Sequence, residues 1–194
     1  GVHAKKHGFP HFLLRGVLIV CVGVFIDVVL WKIIPFTTVD VLYLIGISIP
    51  LIYFAARLSS RNLLILTILI FAFTPVLQKL LGYTYYPTEF NLHGELTLAV
   101  KNQTNILQHW FVDGWFPVFP WFGFVTFGAF LGKLRWVDNI NGNLFNASKF
   151  GMNGLVLLLI GAVLWYAYPG PLYCREGVHE RFFPATIGFI TTNI

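Results

Sequence analysis

Between Arg15 and Asp27 the chain reads GVLIVCVGVFI, with no charged side chain in the run. Taken to its polar margins, the segment covers residues 12–34, more than the roughly 20 residues a helix needs to cross a hydrocarbon core. Backbone polar groups in lipid must pair within the protein, which leaves only helices and closed barrels. Barrel strands alternate apolar and polar residues, and this run does not alternate. Residues 39–56, 63–81, 116–131 and about 150–168 repeat the pattern, and a sixth apolar segment opens near Phe183. The whole chain is 57% hydrophobic and 11% charged, whereas soluble domains carry about a quarter charged residues. The expected fold is therefore all-α: a polytopic transmembrane helical bundle of about five full spans plus the start of a sixth. The 194 residues read as a single membrane domain. There is no initiator Met and no signal-peptide pattern, and the end, FFPATIGFITTNI, resembles a helix just begun. An interior piece of a longer chain is expected.

The connections set the topology. PFTT separates the first two segments and RLSSR the next two, so each pair is expected to lie antiparallel. Pro50 and Pro75 fall inside segments two and three, where kinks are expected, with neighbouring helices satisfying the freed carbonyls. Lys5, Lys6 and Arg15 precede the first segment, Arg57 and Arg61 follow the second, and Lys133, Arg135 and Lys149 follow the fourth. The alternate loops set Lys79 and Lys101 against Glu89, Glu95 and Asp113, then Arg175 and Arg181 against Glu176 and Glu180. Lys/Arg excess alternating with each crossing places the start in the cytoplasm by the positive-inside rule. Residues 82–115 then form an extracytoplasmic loop, longer than an idle connection usually is. The basic residues behind the +5 net charge sit at segment ends, so no nucleic-acid partner is expected.

Few residues can carry chemistry. Asp27 lies well inside the first segment, and an intramembrane carboxylate faces the bundle interior or water. It is either a proton acceptor or substrate contact, or a carboxylate satisfied by Lys32 or a neighbouring helix. His109 and Asp113 are four apart and would share one helix face; His93 lies between Glu89 and Glu95. A carboxylate can orient an imidazole that acts as a general base, so His109, Asp113 and His93 are the catalytic candidates. Arg57, Arg61, Lys133 and Arg135 form a basic inner group, suited either to cofactor phosphates or to topology and lipid headgroups. His3, His7 and His11 recur every fourth residue, but Gly8 and Pro10 interrupt a helix there, and no metal site is expected. Cys21 and Cys174 supply neither a disulfide nor a metal framework. Asn102 on the outer side and Asn146 on the inner side head chance-level glycosylation triplets.

In DGWFPVFPWFGFVTFGAFLGK, residues 113–133, Pro117 and Pro120 suit the first turn of a helix. Trp115, Phe116 and Trp121 suit an interfacial aromatic belt. Gly128 and Gly132 form a GxxxG face for close helix approach.

Three stretches, in order, resemble the membrane family of heparan-α-glucosaminide N-acetyltransferase and its prokaryotic relatives. They are HFLLRGVLIVCVGVFID, VDVLYLIGISIPLIYF and, most distinctively, DGWFPVFPWFGFVTFGAFLGK; FFPATIGF is similar to the start of a further family helix. The resemblance implies an acyltransferase that takes an acetyl group from acetyl-CoA on the cytoplasmic side to an amino sugar, such as glucosamine, on the other. It implies that the family's first two spans, with its catalytic histidine, precede Gly1. Asp113, Pro117, Pro120 and Trp121 carry over as motif positions. Tyr43 departs from the pattern, since relatives often have histidine there, which points to a different acceptor or to lost activity.

Two other functions remain open: a non-catalytic subunit of a larger membrane complex, and a transporter using Asp27 and the proline-containing helices. The partners expected are the lipid bilayer together with either copies of the chain or other membrane subunits. The expected location is a prokaryotic cell membrane, with an endomembrane as the alternative.

Overall fold

The structure is a computed structural model that describes residues 8–37, 39–82, 91–95, 106–136, 147–167, 174–175 and 178–179. It is helical apart from one two-residue antiparallel ladder, β1 (Cys174–Arg175) with β2 (Val178–His179). Helix α1 (Phe9–Phe25) runs directly into a π-helical turn, Ile26–Trp31. Then come α2 (Val41–Ala55), α3 (Ser60–Leu81), the single turn α4 (Ile106–Gln108), a second π-helical turn (His109–Asp113), α5 (Val118–Trp136) and α6 (Ala147–Ala167). The five apolar segments all fall on helices. The sixth expected near Phe183, and His3, His7, Glu89, Asn102 and Asn146, lie outside the described residues.

Polar residues set the helix limits. Asp40 accepts a hydrogen bond from the Val41 amide (2.5 Å) and starts α2 two residues later than the apolar run suggests. The Ser59 hydroxyl accepts from the Asn62 amide and caps α3, as short polar residues do at N-caps. At the far end of α3, Gly82 takes the left-handed conformation (φ +79°).

Helix α1 packs along α2, α3 along α5, and α2 touches α5. The α1–α2 crossing is a backbone contact: a Cβ added at Gly16 would come within 2.3 Å of the Gly46 carbonyl oxygen. That carbonyl is the one Pro50, four residues on, leaves without its helical N–H. Gly16, with no side chain, lets the neighbouring backbone reach it. Both α2 and α3 continue as helix through their prolines.

Between α3 and α5 the ring of Phe71 sits where a Cβ on Gly123 would fall, 2.6 Å away at its nearest atom. The Thr67 hydroxyl reaches Thr126 (2.9 Å), which in turn donates to the Gly123 carbonyl (2.9 Å). The close approach on α5 is therefore at Gly123. Among the described residues, a Cβ at Gly128 would meet nothing within 4 Å, so Gly128 does not serve the α3–α5 contact.

Beside an apolar core that includes Tyr43, Leu63 and Val112, polar side chains are buried while many large apolar ones face outward. Asp27, Ser48, Thr67, Thr74, His109 and Thr126 are buried, while Leu18, Val22, Phe25, Leu30, Ile68, Phe73 and Leu80 face outward. Two helices, Phe9–Trp31 and Ser60–Leu81, are long and apolar enough to cross a membrane, and only 17% and 22% of their most apolar stretches are buried. A core helix of a soluble protein hides its apolar side chains; these turn theirs toward the surroundings.

Candidate active site

Two groups of polar residues form at opposite ends of α2. At its C-terminal end, the Lys133 ammonium donates to the carbonyls of Ala56 (3.4 Å) and Leu58. This brings the basic end of α5 onto the α2–α3 turn. Arg57, in that turn, donates to the Tyr53 hydroxyl and lies 4.2 Å from the centre of the Tyr53 ring. Arg57, Arg61 and Arg135 are exposed and Lys133 is half-buried. The structure thus joins Lys133 to the turn that carries Arg57. Phe9 and Phe12 extend the aromatic surface around Tyr53.

At the N-terminal end of α2, Asp27 is 2% exposed and accepts a 2.5 Å hydrogen bond from the hydroxyl of Tyr43, which is wholly buried. Of the partners the sequence left open, the neighbouring helix supplies this one. Gly23 leaves room for the Tyr43 ring against α1. On its other side that ring meets Phe36 (5.2 Å between centroids) and Trp110 (5.8 Å).

Trp110 belongs to the second π-helical turn, next to His109, which is 2% exposed. The turn closes with the Gly114 amide donating to the His109 carbonyl (2.8 Å). His109 and Asp113 are the first and last residues of this turn. His93 lies apart from this burial. It is exposed in a small turn in which the Asn91 side chain accepts from the amides of His93 (3.0 Å) and Glu95 (2.8 Å). Among the described residues, no three His, Cys, Asp or Glu side chains gather as a metal site.

Between α2 and α5 lies an apolar pocket of about 170 Å³ lined by Leu44, Ile45, Ser48, Ile49, Ile52 and Val125. The Ser48 hydroxyl beside it is buried, with no hydrogen-bond partner among the described residues.

Helix α5 begins where the motif places it, with one adjustment. Phe119 is non-helical (φ −102°, ψ 122°) and the Phe119–Pro120 peptide is cis, so regular helix starts at Pro120 and Pro117 lies ahead of it. A residue before proline avoids helical geometry.

Residue reasoning alone missed the Asp27–Tyr43 pair. The signal was present: the two are equidistant from Pro35 in the short connection, so antiparallel helices bring them to one depth.

These features define a class: a helical chain with spans long enough to cross a membrane, polar groups gathered inside, and distinct polar sites at the two ends of one helix. The family model for heparan-alpha-glucosaminide N-acetyltransferase, catalytic, matches residues 2–168, and the chain belongs to this acetyltransferase family. No curated protein and no solved structure matches it.

Proposed function

We propose that the chain is the membrane part of an acyltransferase that moves an acetyl group from acetyl-CoA, held at the cytoplasmic side, to an amino sugar or similar acceptor at the other. The family match over residues 2–168 carries this reading, and the separation of the two polar ends supports it. Arg57, Arg61, Lys133 and Arg135 grip the phosphates of the donor, where guanidinium and ammonium groups make charge-assisted hydrogen bonds. Helix α2, at 15 residues, sets about 22 Å between that grip and the His109 end. The apolar pocket beside Ser48 lies along this length.

At the outer end, the acceptor amine attacks the thioester carbonyl carbon. The C–N bond forms, the C–S bond breaks, and the amine proton passes to a base while the thiolate leaves. His109 is the candidate base and Asp113 its charge partner; the exposed His93 contributes to acceptor approach. This chain contributes about five spans and the start of a sixth, with its N-terminal side cytoplasmic.

Calorimetric titration of CoA tests the reading. The protein in detergent micelles should bind CoA, and Arg57→Glu with Lys133→Glu should weaken binding at least about tenfold, since each lost charge-assisted contact costs roughly 1.5–3 kcal/mol. Absence of CoA binding by the unaltered protein would remove the proposal.

A further inference from the structure

Three non-glycine residues with left-handed backbone, Lys32 (φ 54°), Phe36 (φ 67°) and Val39 (φ 52°), fall within the short α1–α2 connection. Left-handed geometry is uncommon for non-glycine residues, and for a β-branched residue such as Val39 it is a genuine outlier. It persists only where the surroundings enforce it, and such strain gathers at functional sites.

Each of the three presents its carbonyl to a segment on the outer side. Lys32 accepts from the Leu92 amide (3.1 Å), Phe36 from the Trp110 indole (3.0 Å), and Val39 from the Phe116 amide (2.9 Å). Two of these bonds hold the stretch that carries His109 and Asp113. At the base of the connection, the Tyr43 hydroxyl ties the second residue of the first π-helical turn, Asp27, to the start of α2. Its ring lies against Trp110 of the second π-helical turn. The two π-helical turns of the described chain therefore meet through one tyrosine. Turns of this type are frequent at functional sites.

An apolar pair would pack α1 on α2 as well as this pair does. A carboxylate and a hydroxyl in its place add direction, fixing where the Tyr43 ring lies and so where Trp110 rests. We propose that Asp27 and Tyr43 are positioning residues for acyl transfer: their hydrogen bond clasps the strained α1–α2 connection in the shape that seats the His109 turn. This inference rests on the reading that transfer runs at His109.

The deciding variant is the double replacement Asp27→Leu with Tyr43→Phe, which removes both halves of the bond together. Buried polar pairs exchanged for apolar ones commonly retain stability, so its thermal midpoint should match that of the unaltered protein. Two readouts follow, both in detergent micelles. Diethyl pyrocarbonate modification of His109, resolved by peptide mass spectrometry, should become about tenfold faster as the turn opens locally. With acetyl-CoA and glucosamine as substrates, kcat should fall about 10- to 100-fold, as for a small displacement of a reacting group, while KM for acetyl-CoA holds. A double variant with unchanged kcat and unchanged His109 modification overturns the proposal. So does a fall in kcat with His109 still protected, because the effect would then not run through its seat. If even the unaltered protein transfers no acetyl group, the functional reading fails, while the modification rates still decide whether the clasp exists.

Discussion

A carboxylate with 2% of its surface exposed, as at Asp27, persists as an ion only if its surroundings supply hydrogen bonds and charge compensation. The Tyr43 hydroxyl is one such donor, so the two side chains are energetically one unit. Tyr43→Phe keeps the ring contacts with Phe36 and Trp110 and deletes only the donor. Leaving a buried group short of one hydrogen-bond donor costs about 1–3 kcal/mol, and a loss of this order is expected in denaturant unfolding of the micellar protein. Asp27→Asn keeps an acceptor for the same hydroxyl and should lose only about 1 kcal/mol, the scale of one neutral hydrogen bond. Sequence alone placed Asp27 as an intramembrane carboxylate because a lone charge in an apolar run is conspicuous. It did not disclose Tyr43 as the partner, since tyrosine in an apolar helix is unremarkable and the bond spans two helices. His109 and His93 looked alike in sequence for a related reason. Their separation into a buried and an exposed residue follows from the Trp110 contacts and the Asn91 turn, which have no periodic signature.

Among the helices, the α1–α2 crossing depends on two backbones meeting at Gly16 and Gly46. A larger side chain at Gly16 collides with backbone, which cannot swing aside as a side chain can. Gly16→Leu should destabilise the bundle by at least about 1–3 kcal/mol, the usual cost of overpacking. Gly128→Ala should stay within about 0.5 kcal/mol, as an open position does, because a Cβ there meets nothing within 4 Å among the described residues. Thermal unfolding of the two variants side by side checks both. The apolar runs predicted the helices well, since uncharged length in lipid leaves the backbone little alternative. The GxxxG pattern pointed to α5 as a contact helix through Gly128 and Gly132; among the described residues the close approach to α3 is at Gly123, under the Phe71 ring. Both π-helical turns escaped the sequence reading, because one extra residue in a turn leaves apolar composition unchanged.

Among the described residues, the many large apolar side chains that face outward fit a chain whose solvent is lipid. The proposed orientation puts the α2–α3 turn in the cytoplasm and residues 91–95 outside. With Cys21 and Cys174 replaced by alanine, a cysteine introduced as His93→Cys should react with a membrane-impermeant maleimide on intact cells. One introduced as Ser59→Cys should react only after lysis; the reverse pattern would invert the topology. Family membership was legible in the aspartate–aromatic–proline motif of residues 113–121, since that order of residues is distinctive among apolar helices. The arrangement of the two polar ends was not, because it needs α5 to run alongside α2 from the Val39–Phe116 bond to the Lys133–Leu58 bond.

Acetyl transfer itself tests the account most directly. The protein in micelles is incubated with acetyl-CoA and glucosamine, and N-acetylglucosamine and free CoA are measured by mass spectrometry. The account predicts equal amounts of both products. It also predicts a rate about 10²- to 10⁴-fold lower in His109→Ala, the range for loss of a general base, and a raised KM for glucosamine in His93→Ala. Absence of both products, or full activity in His109→Ala, would contradict it.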